Sequence, residues 1–470
     1  MRMLRLQTTA LCLALLALVT AGCGSLFDDS SSAGAASTQS PTWYKDVAPI
    51  VTRRCTGCHT SGGIAPFPLN SYESAQPFAG LMVERVKSGE MPPWHAVETA
   101  DCKPRFPWKD DLRLSDAEKS VLERWAAAGA PAGDAGKPAA LPSPPSLDLA
   151  DRNMRVAMTS PYLVQGARDV FRCFSLPHEF TEDSWLTGLQ VIPGNSKVVH
   201  HVLVWLDKDK RGDALARAEG SYECFGAPGF PSALLGAWAP GAMPMQTPAD
   251  TALRVPKGSK IVINVHYHPT GGAAMDASSL DLRWTTKRPT YEALLALPGN
   301  AQNARSGLLP GPADPPTGPA FMIPAGVPDH TEGMDITVPP ELIIPAKIFA
   351  VGTHMHYVGT DMRIEIDRAQ RLGGAPPGEP MRECLLETPR WDFHWQRGYS
   401  FDASFDKLPT VMAGDVLRLR CQYDNTMQNR FVAQALKEQG LSAPREVRLG
   451  EQTLDEMCLG AFGIAFPARP

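Results

Sequence analysis

The 470-residue chain lacks several signatures, and each lack removes a class of function. Its formal net charge is −5, and no basic run is interleaved with aromatic residues, so there is no footprint for nucleic acid and the partner is not a polyanion. No Ser/His/Asp arrangement, phosphate-cradling glycine loop or HExxH motif is present, which removes the commonest hydrolase and nucleotide-binding chemistries. Beyond the first residues no apolar run is long enough to cross a bilayer. No internal repeat is visible. What the chain has in quantity is Pro (44) and Gly (40), a composition that favours short strands and many turns over long helices.

The amino terminus reads as an export signal: MRMLRL is charged, TTALCLALLALV is apolar, and TAGC places small residues before Cys23. This pattern resembles a bacterial lipoprotein signal, which implies lipidation of Cys23 and attachment to a membrane. Gly24 after it is similar to outer-membrane sorting, facing the periplasm or the cell surface. Six of the ten Cys lie outside the signal, the anchor and the CTGCH motif: Cys102, Cys173, Cys224, Cys384, Cys421 and Cys458. An even number in an oxidising compartment suggests disulfides.

Residues 28–41, DDSSSAGAASTQSP, form a polar spacer. Apolar residues at helical spacing follow in WYKDVAPIVTRRC, ESAQPFAGLMVERVKSG and SDAEKSVLERWAAAGA, the last opening with Ser115 and Glu118 as a capping box and closing at Gly129. After the Pro-rich stretch at 131–146 the texture turns to β, in DSWLTGLQVI, KVVHHVLVW, KIVINVHYH, KIFAVGTHMHY, MRIEI, RWDFHWQ and DVLRLRCQY. That texture predicts one or two antiparallel β-sandwiches. GLLPGPADPPTGP, at 307–319, divides them into two halves.

CTGCH at 55–59 follows a helix directly. Its spacing suits thioether attachment of a haem through Cys55 and Cys58, with His59 ligating the iron. A disulfide or a zinc half-site is the other use of such a pair, and for zinc only His95 and Cys102 stand near enough in sequence. For the sixth iron ligand KSGEMPPWHA offers Met91 and His95, with Met82 one helix earlier. Met91 is preferred, because a thioether raises the potential of an electron carrier and the Pro pair fixes the backbone after it. Met82 lies at helical spacing beside Leu81 and Val86 and reads as core. Together WYKDVAPIVTRRCTGCH, IAPFPLNSYESA, EMPPWHA and LSDAEKSVLERWAAAGAPAGD resemble the cytochrome-c-like module that precedes bacterial relatives of the ascorbate-dependent copper monooxygenases.

Six of the eleven His fall in three apolar, strand-like segments, where each buried imidazole needs a partner and where imidazole suits copper and zinc alike. Alternation on a strand puts His354 and His356 on one face with Met355 on the other, and does the same for His266 and His268, of which both or one would bind. His200 and His201 are adjacent and would reach one ion only if the strand twists or bulges.

GNSKVVHHVLVW, INVHYHPTG, GTHMHYVG and LDEMCLGAF, in this order, resemble the type II copper monooxygenases that include peptidylglycine α-hydroxylating monooxygenase and dopamine β-monooxygenase. The resemblance covers residues 150–465. It implies one copper held by His200, His201 and His266, the last chosen over His268, and a second held by His354, His356 and Met457. It further implies a disulfide between Cys421 and Cys458, with Cys173–Cys224 a second pairing; Cys102 and Cys384 stay unassigned. Two departures stand out: Gly352 occupies the position of the Arg that holds a peptide carboxylate in the amidating enzymes, and Ala461 that of a Tyr, so a glycine-extended peptide is not the expected substrate. RWDFHWQ, with Trp391, His394 and Trp395, resembles a strand of the bacterial relatives and otherwise reads as an edge of the sandwich core.

The expectation is therefore a mainly β protein, with two antiparallel β-sandwich (jelly-roll-like) domains preceded by a small all-α cytochrome-c-like domain. Its parts are a signal (1–22), a tether (23–41), the haem domain (42–133), a Pro-rich linker (134–147) and the two β domains (148–300 and 320–470). The expected function is copper-dependent hydroxylation of a C–H bond in a small organic substrate, using O₂ and two copper ions. Catalysis would centre on His354, His356 and Met457, with electrons from the fused haem c, an electron-donor protein or ascorbate. A haem- and copper-binding electron-transfer lipoprotein without oxygenase activity, and a metal-storage lipoprotein, are the other expectations.

Overall fold

Ser115 and Glu118 form the reciprocal cap expected of them: Ser115 Oγ accepts from Glu118 N, and the Glu118 carboxylate accepts from Ser115 N. The helix they start runs Asp116–Ala127, and it stops before Gly129, whose φ of 81° suits glycine. It packs with the helices Ala48–Arg54 and Ala79–Ser88 around a core of Trp43, Val47, Ile50, Met82, Leu122 and Trp125. Met82 is thus core, as its spacing indicates. The computed structural model describes residues 40–468 apart from 64, 147, 167, 270–271, 301–306, 451 and 453. Cys23 and the signal lie outside the described residues.

The remainder is mainly β, in several antiparallel sheets. Most segments rich in β-branched residues become strands: Ser184–Ile192, Val199–Asp207, Lys260–Tyr267, Ala346–His354, Gly359–Asp367 and Val416–Tyr423. Lys260–Tyr267 is buried on both faces, between Val199–Asp207 and Val170–Ser175, which explains why KIVINVHY is apolar nearly throughout. Val416–Tyr423 alternates half-buried and buried positions. It lies between His330–Thr337 and Gly359–Asp367 in a four-stranded sheet.

RWDFHWQ departs from the expected strand. Asp392 Oδ1 accepts from His394 N at 2.9 Å, and Trp395 N donates to Asp392 O at 3.0 Å, closing turns that break the extended run.

The two β halves share one sheet. Tyr291–Ala296 pairs with the last strand, Leu459–Pro467, which pairs in turn with Ala346–His354. The segment between the second and third main helices also joins the β body: Trp94, Ala96 and Trp108 are buried in the large β core, Val97 N donates to Glu387 O at 3.1 Å, and Asp402 N donates to Pro107 O at 2.8 Å. Cys102 is bonded to Cys384, so it is not available as a zinc ligand beside CTGCH. Residues 41–470 accordingly form one compact unit. No helix among the described residues is long and apolar enough to cross a membrane.

Candidate metal centres

The strand Val199–Asp207 carries an irregularity at the histidine pair. Val265 faces Val202 and His266 faces His201, but Tyr267 faces Val199, so His200 is an extra residue in the ladder. A bulge of this kind breaks strict alternation and re-aims side chains. The consequence is convergence: His200 Nδ1 and His201 Nδ1 are 3.1 Å apart, and His266 Nδ1 is 3.4 Å from His201 Nδ1. Two nitrogens about 2.0 Å from one ion stand about 2.8 Å apart at a right angle and about 3.5 Å apart at 120°. The three imidazoles therefore have the spacing of a three-coordinate metal site.

Protons satisfy this arrangement poorly. Where the N–H groups sit on the outward Nε2 atoms, only lone pairs meet among the three converging Nδ1 atoms; outside the cluster, His200 Nε2 and His266 Nε2 are buried without a hydrogen-bond partner. Burial, reinforced by the neighbouring imidazoles, pushes the His200 and His201 rings well below the ordinary histidine value. A cation at the centre resolves the lone pairs.

Neighbouring rings fix the orientation. His266 stacks on Phe171 with centroids 4.2 Å apart, and His200 stacks on Phe393 at 4.5 Å. Asp169 Oδ2 stands 3.4 Å from His266 Nε2, within ion-pair range. His268 turns away: its Nδ1 is 2.7 Å from Asp169 Oδ1, and this bond raises its pKa. Of the two histidines in HYH, only His266 joins the cluster.

The second set sits where Ala346–His354 meets the final strand. His354 faces Leu459 in that antiparallel pair, and continuing the register by two residues brings His356 opposite Met457. The strand itself ends at His354, so a clamp rather than the pleat places His356. Glu456 Oε1 accepts from the main-chain N–H groups of both His356 and Met457. Burial pushes the Glu456 carboxyl up to about 8, against the pull of main-chain N–H groups.

The Cys421–Cys458 bond and the hydrogen bond from Tyr423 Oη to Met457 O, 3.0 Å, hold Met457 from the other side. The rings of His354 and His356 are 5.3 Å apart. Each Nδ1 is occupied, by Gln396 Oε1 at 2.6 Å and by Asp455 O at 3.0 Å. Such bonds fix the tautomer that leaves Nε2 as the ligand atom. Met457 is buried, and its main-chain N–H shares the Glu456 carboxylate with that of His356.

Phe393 joins the two sets. Its ring is stacked on His200 and lies 6.0 Å from His356, nearly perpendicular to it. The two imidazoles are therefore no farther apart than those two separations laid end to end. In the helical segment, His59 Nδ1 is 3.0 Å from Phe67 O, so Nε2 is again the free nitrogen. Cys55 and Cys58 are unbridged while the other six described cysteines are paired, including Cys173 with Cys224. Burial pushes the Cys55 thiol up to about 12. Met91 is half-buried, with its N–H on Arg85 O at 3.1 Å. His95 is buried against Tyr399 Oη, and burial lowers its pKa to about 4.

Asp169, Phe171, Phe393, Gln396 and Glu456 were not singled out from the sequence as site residues. Asp169 directly precedes a strand, Glu456 interrupts the apolar LDEMCLGAF, and Gln396 ends an aromatic run; only these weak signals marked them.

Two measurements test this geometry. In metal-free protein the folded state holds His200, His201, His354 and His356 below their ordinary value of 6.5, chiefly by desolvation. The unfolded chain therefore binds more protons below that pH. Stability of the metal-free protein is full above pH 6.5 and falls as the pH drops toward about 3, where His356 titrates; denaturation midpoints across this range, flattened by metal, check it. Gln396→Leu removes the partner of His354 Nδ1 and should weaken metal binding at the second set by roughly 10–100-fold, leaving the first set unchanged by titration.

No family model and no curated protein matches the chain. Among solved structures, it is similar to the major capsid protein P2 of bacteriophage PM2, with 10% identity over 67% of this chain and 98% of that one and a TM-score of 0.23. The glycosylasparaginase PNGase F from Flavobacterium meningosepticum shows 11% identity over 58% and 97%, also at 0.23. An oxalate decarboxylase variant from B. subtilis shows 9% over 71% and 88%, at 0.10. Similarity at these scores bears on neither fold nor chemistry.

Proposed function

We propose that the chain is a copper-dependent monooxygenase of the type II, ascorbate-dependent kind, fused to a c-type haem module. The observation that carries this reading is the bulge at His200, which turns an adjacent histidine pair and His266 into one three-nitrogen site beside a His/His/Met set. When bound, copper and haem would supply one-electron steps and activate O₂, so that one oxygen atom enters a C–H bond and the other leaves as water.

The chain's own residues divide the remaining work. His200, His201 and His266 present three neutral imidazoles, a donor set able to accommodate both copper oxidation states. His354, His356 and Met457 present two imidazoles and a thioether, which favours the reduced ion. Gln396 and Asp455 hold the second pair of rings in one tautomer, Glu456 locks the turn, and the surrounding aromatic side chains exclude water. Cys55, Cys58 and His59 would hold the haem, with Met91 as the sixth ligand. In this reading the helical segment is the cytochrome-c-like domain and the β halves are the two copper domains. The three disulfides fit an oxidising compartment, and Cys23 would carry the lipid anchor at the outer membrane.

The substrate is a small organic molecule other than a glycine-extended peptide. Gly352 lies directly across the ladder from Ala461, and on its other side from Gly398. A Cβ at 352 would meet Arg397 O at 3.3 Å and Ala461 Cβ at 3.4 Å. The two small residues and the Arg397–Gly398 backbone therefore close the space around position 352, and no cation at this position meets a carboxylate.

The same closure favours the second reading, an electron-transfer protein without oxygenase activity. Metal and haem analysis of the intact protein tests both: two coppers and one haem per chain are expected, falling to one copper in His201→Ala. A copper-free protein overturns both readings. Reductant-driven O₂ consumption that depends on an organic substrate then distinguishes enzyme from carrier.

A further inference from the structure

The Phe393 side chain is buried and meets a ring of each histidine set. It is stacked on His200 at 4.5 Å and stands across His356 at 6.0 Å, with Tyr357 edge-on at 4.2 Å. Paired rings touch at centroid separations of about 4.5–7 Å, so no second ring fits between Phe393 and either imidazole. Exposure follows the same arrangement. His200 and His356, the rings that Phe393 covers, are buried, while His201 and His354 are half-buried. Each set is thus partly open through one ring and closed at the ring that meets Phe393.

The backbone that carries the phenyl ring is tied on both sides. Trp391 N donates to Thr360 O at 2.9 Å, and Trp391 Nε1 to His356 O at 3.1 Å. Farther along, Gln396 Nε2 donates to Phe393 O at 3.1 Å, and Arg397 Nη2 to Gly241 O at 2.8 Å. The Trp395 ring lies over Gly241, where φ is 79° and a Cβ would overlap the indole. Residues 391–397 therefore bridge the two β halves, and a side chain of this one segment fills the space between the sets.

We infer that Phe393 determines the size of the substrate: it keeps the space between the two histidine sets closed to an aromatic ring and admits only a smaller, neutral group beside them. The inference deepens the monooxygenase reading above and rests on it. The rings that surround Phe393 offer no counter-charge, so a charged group moved there from water would lose its solvation without compensation. Removing the phenyl ring would leave an apolar cavity, and cavities of that kind accept benzene-sized ligands.

The test uses the intact, oxidised, copper-loaded protein and two probes, acetone and acetophenone, in which a phenyl ring replaces one methyl group. Cupric ions speed the relaxation of methyl protons that bind beside them, and the metal-free protein supplies the baseline. In the parent, the relaxation of the acetone methyl protons should rise and that of the acetophenone methyl protons should not. In Phe393→Ala both should rise, acetophenone to the level of acetone. Phe393→Leu, which keeps a smaller apolar filler, should give an intermediate rise for acetophenone, and it decides the matter if the Ala variant does not fold. Acetophenone relaxed as strongly in the parent as in the variants, acetophenone unrelaxed in the folded variants, or acetone unrelaxed in the parent overturns the size limit alone. A parent that takes up no copper overturns the reading beneath it. Calorimetric titration of acetophenone into the metal-free proteins then decides the size limit: binding to the variant alone supports it, and equal binding to the parent overturns it.

Discussion

His354→Ala is expected to abolish substrate-dependent O₂ consumption while the haem absorbance stays that of the parent. The imidazole removed is half-buried, held neutral at pH 7 by desolvation, and aimed by Gln396 so that its Nε2 is the only free nitrogen. Losing an outer-shell partner of a metal ligand costs roughly 10–100-fold in affinity or activity, so loss of the ligand itself should cost more. In the proposed reading His356 and Met457 would be left as a two-donor set, which does not close the site. The helical segment, which carries the haem in the proposed reading, provides the internal control, because its own core of Trp43, Ile50, Leu122 and Trp125 is separate from the core that carries the histidine sets. Oxygen uptake and absorbance measured on one sample decide the matter; turnover equal to the parent's removes His354 from the site.

Replacing Cys102 and Cys384 with Ser should produce the largest stability loss among the three disulfides. The bond closes a loop between positions 282 residues apart, against 51 for Cys173–Cys224 and 37 for Cys421–Cys458. On loop-closure entropy the longest bond is worth up to about 5 kcal/mol and the shortest about 4 kcal/mol. The 94–108 segment keeps other ties: Thr99 Oγ1 donates to Glu387 Oε2 at 2.5 Å, and Arg105 Nε to Glu383 Oε1 at 2.8 Å. Removing the bond should therefore loosen this segment before the β core unfolds. Denaturation midpoints of the double Ser variant, compared with those lacking each other bond, check the order. A smaller loss for Cys102/Cys384 than for Cys421/Cys458 would show that these contacts already hold the segment.

How much was legible depended on whether a feature is local. Helix spacing in SDAEKSVLERWAA, the cap at Ser115 and the alternation in VLRLRCQY depend on residues a few positions apart, and they appear as expected. RWDFHWQ is aromatic enough to suit a strand, yet the Asp392 side chain closes a turn that a hydrophobicity pattern does not register. The 94–108 segment shows the same limit at longer range, since its attachment to the β body depends on Cys384, Glu387 and Phe401, residues nearly three hundred positions later.

By itself the sequence determined the kinds of donor available: three imidazole clusters, a Met before a Cys, and two thiols followed by a histidine. It also determined that His200 and His201 required a break in strand regularity. Only the tertiary structure decided how that demand is met, by leaving His200 out of the ladder opposite His266 and Tyr267, and that Phe393 lies between the two sets. The physical reason is that a donor's chemistry belongs to its own side chain. Convergence belongs to the register between strands, and that is set by partners the local sequence does not contain.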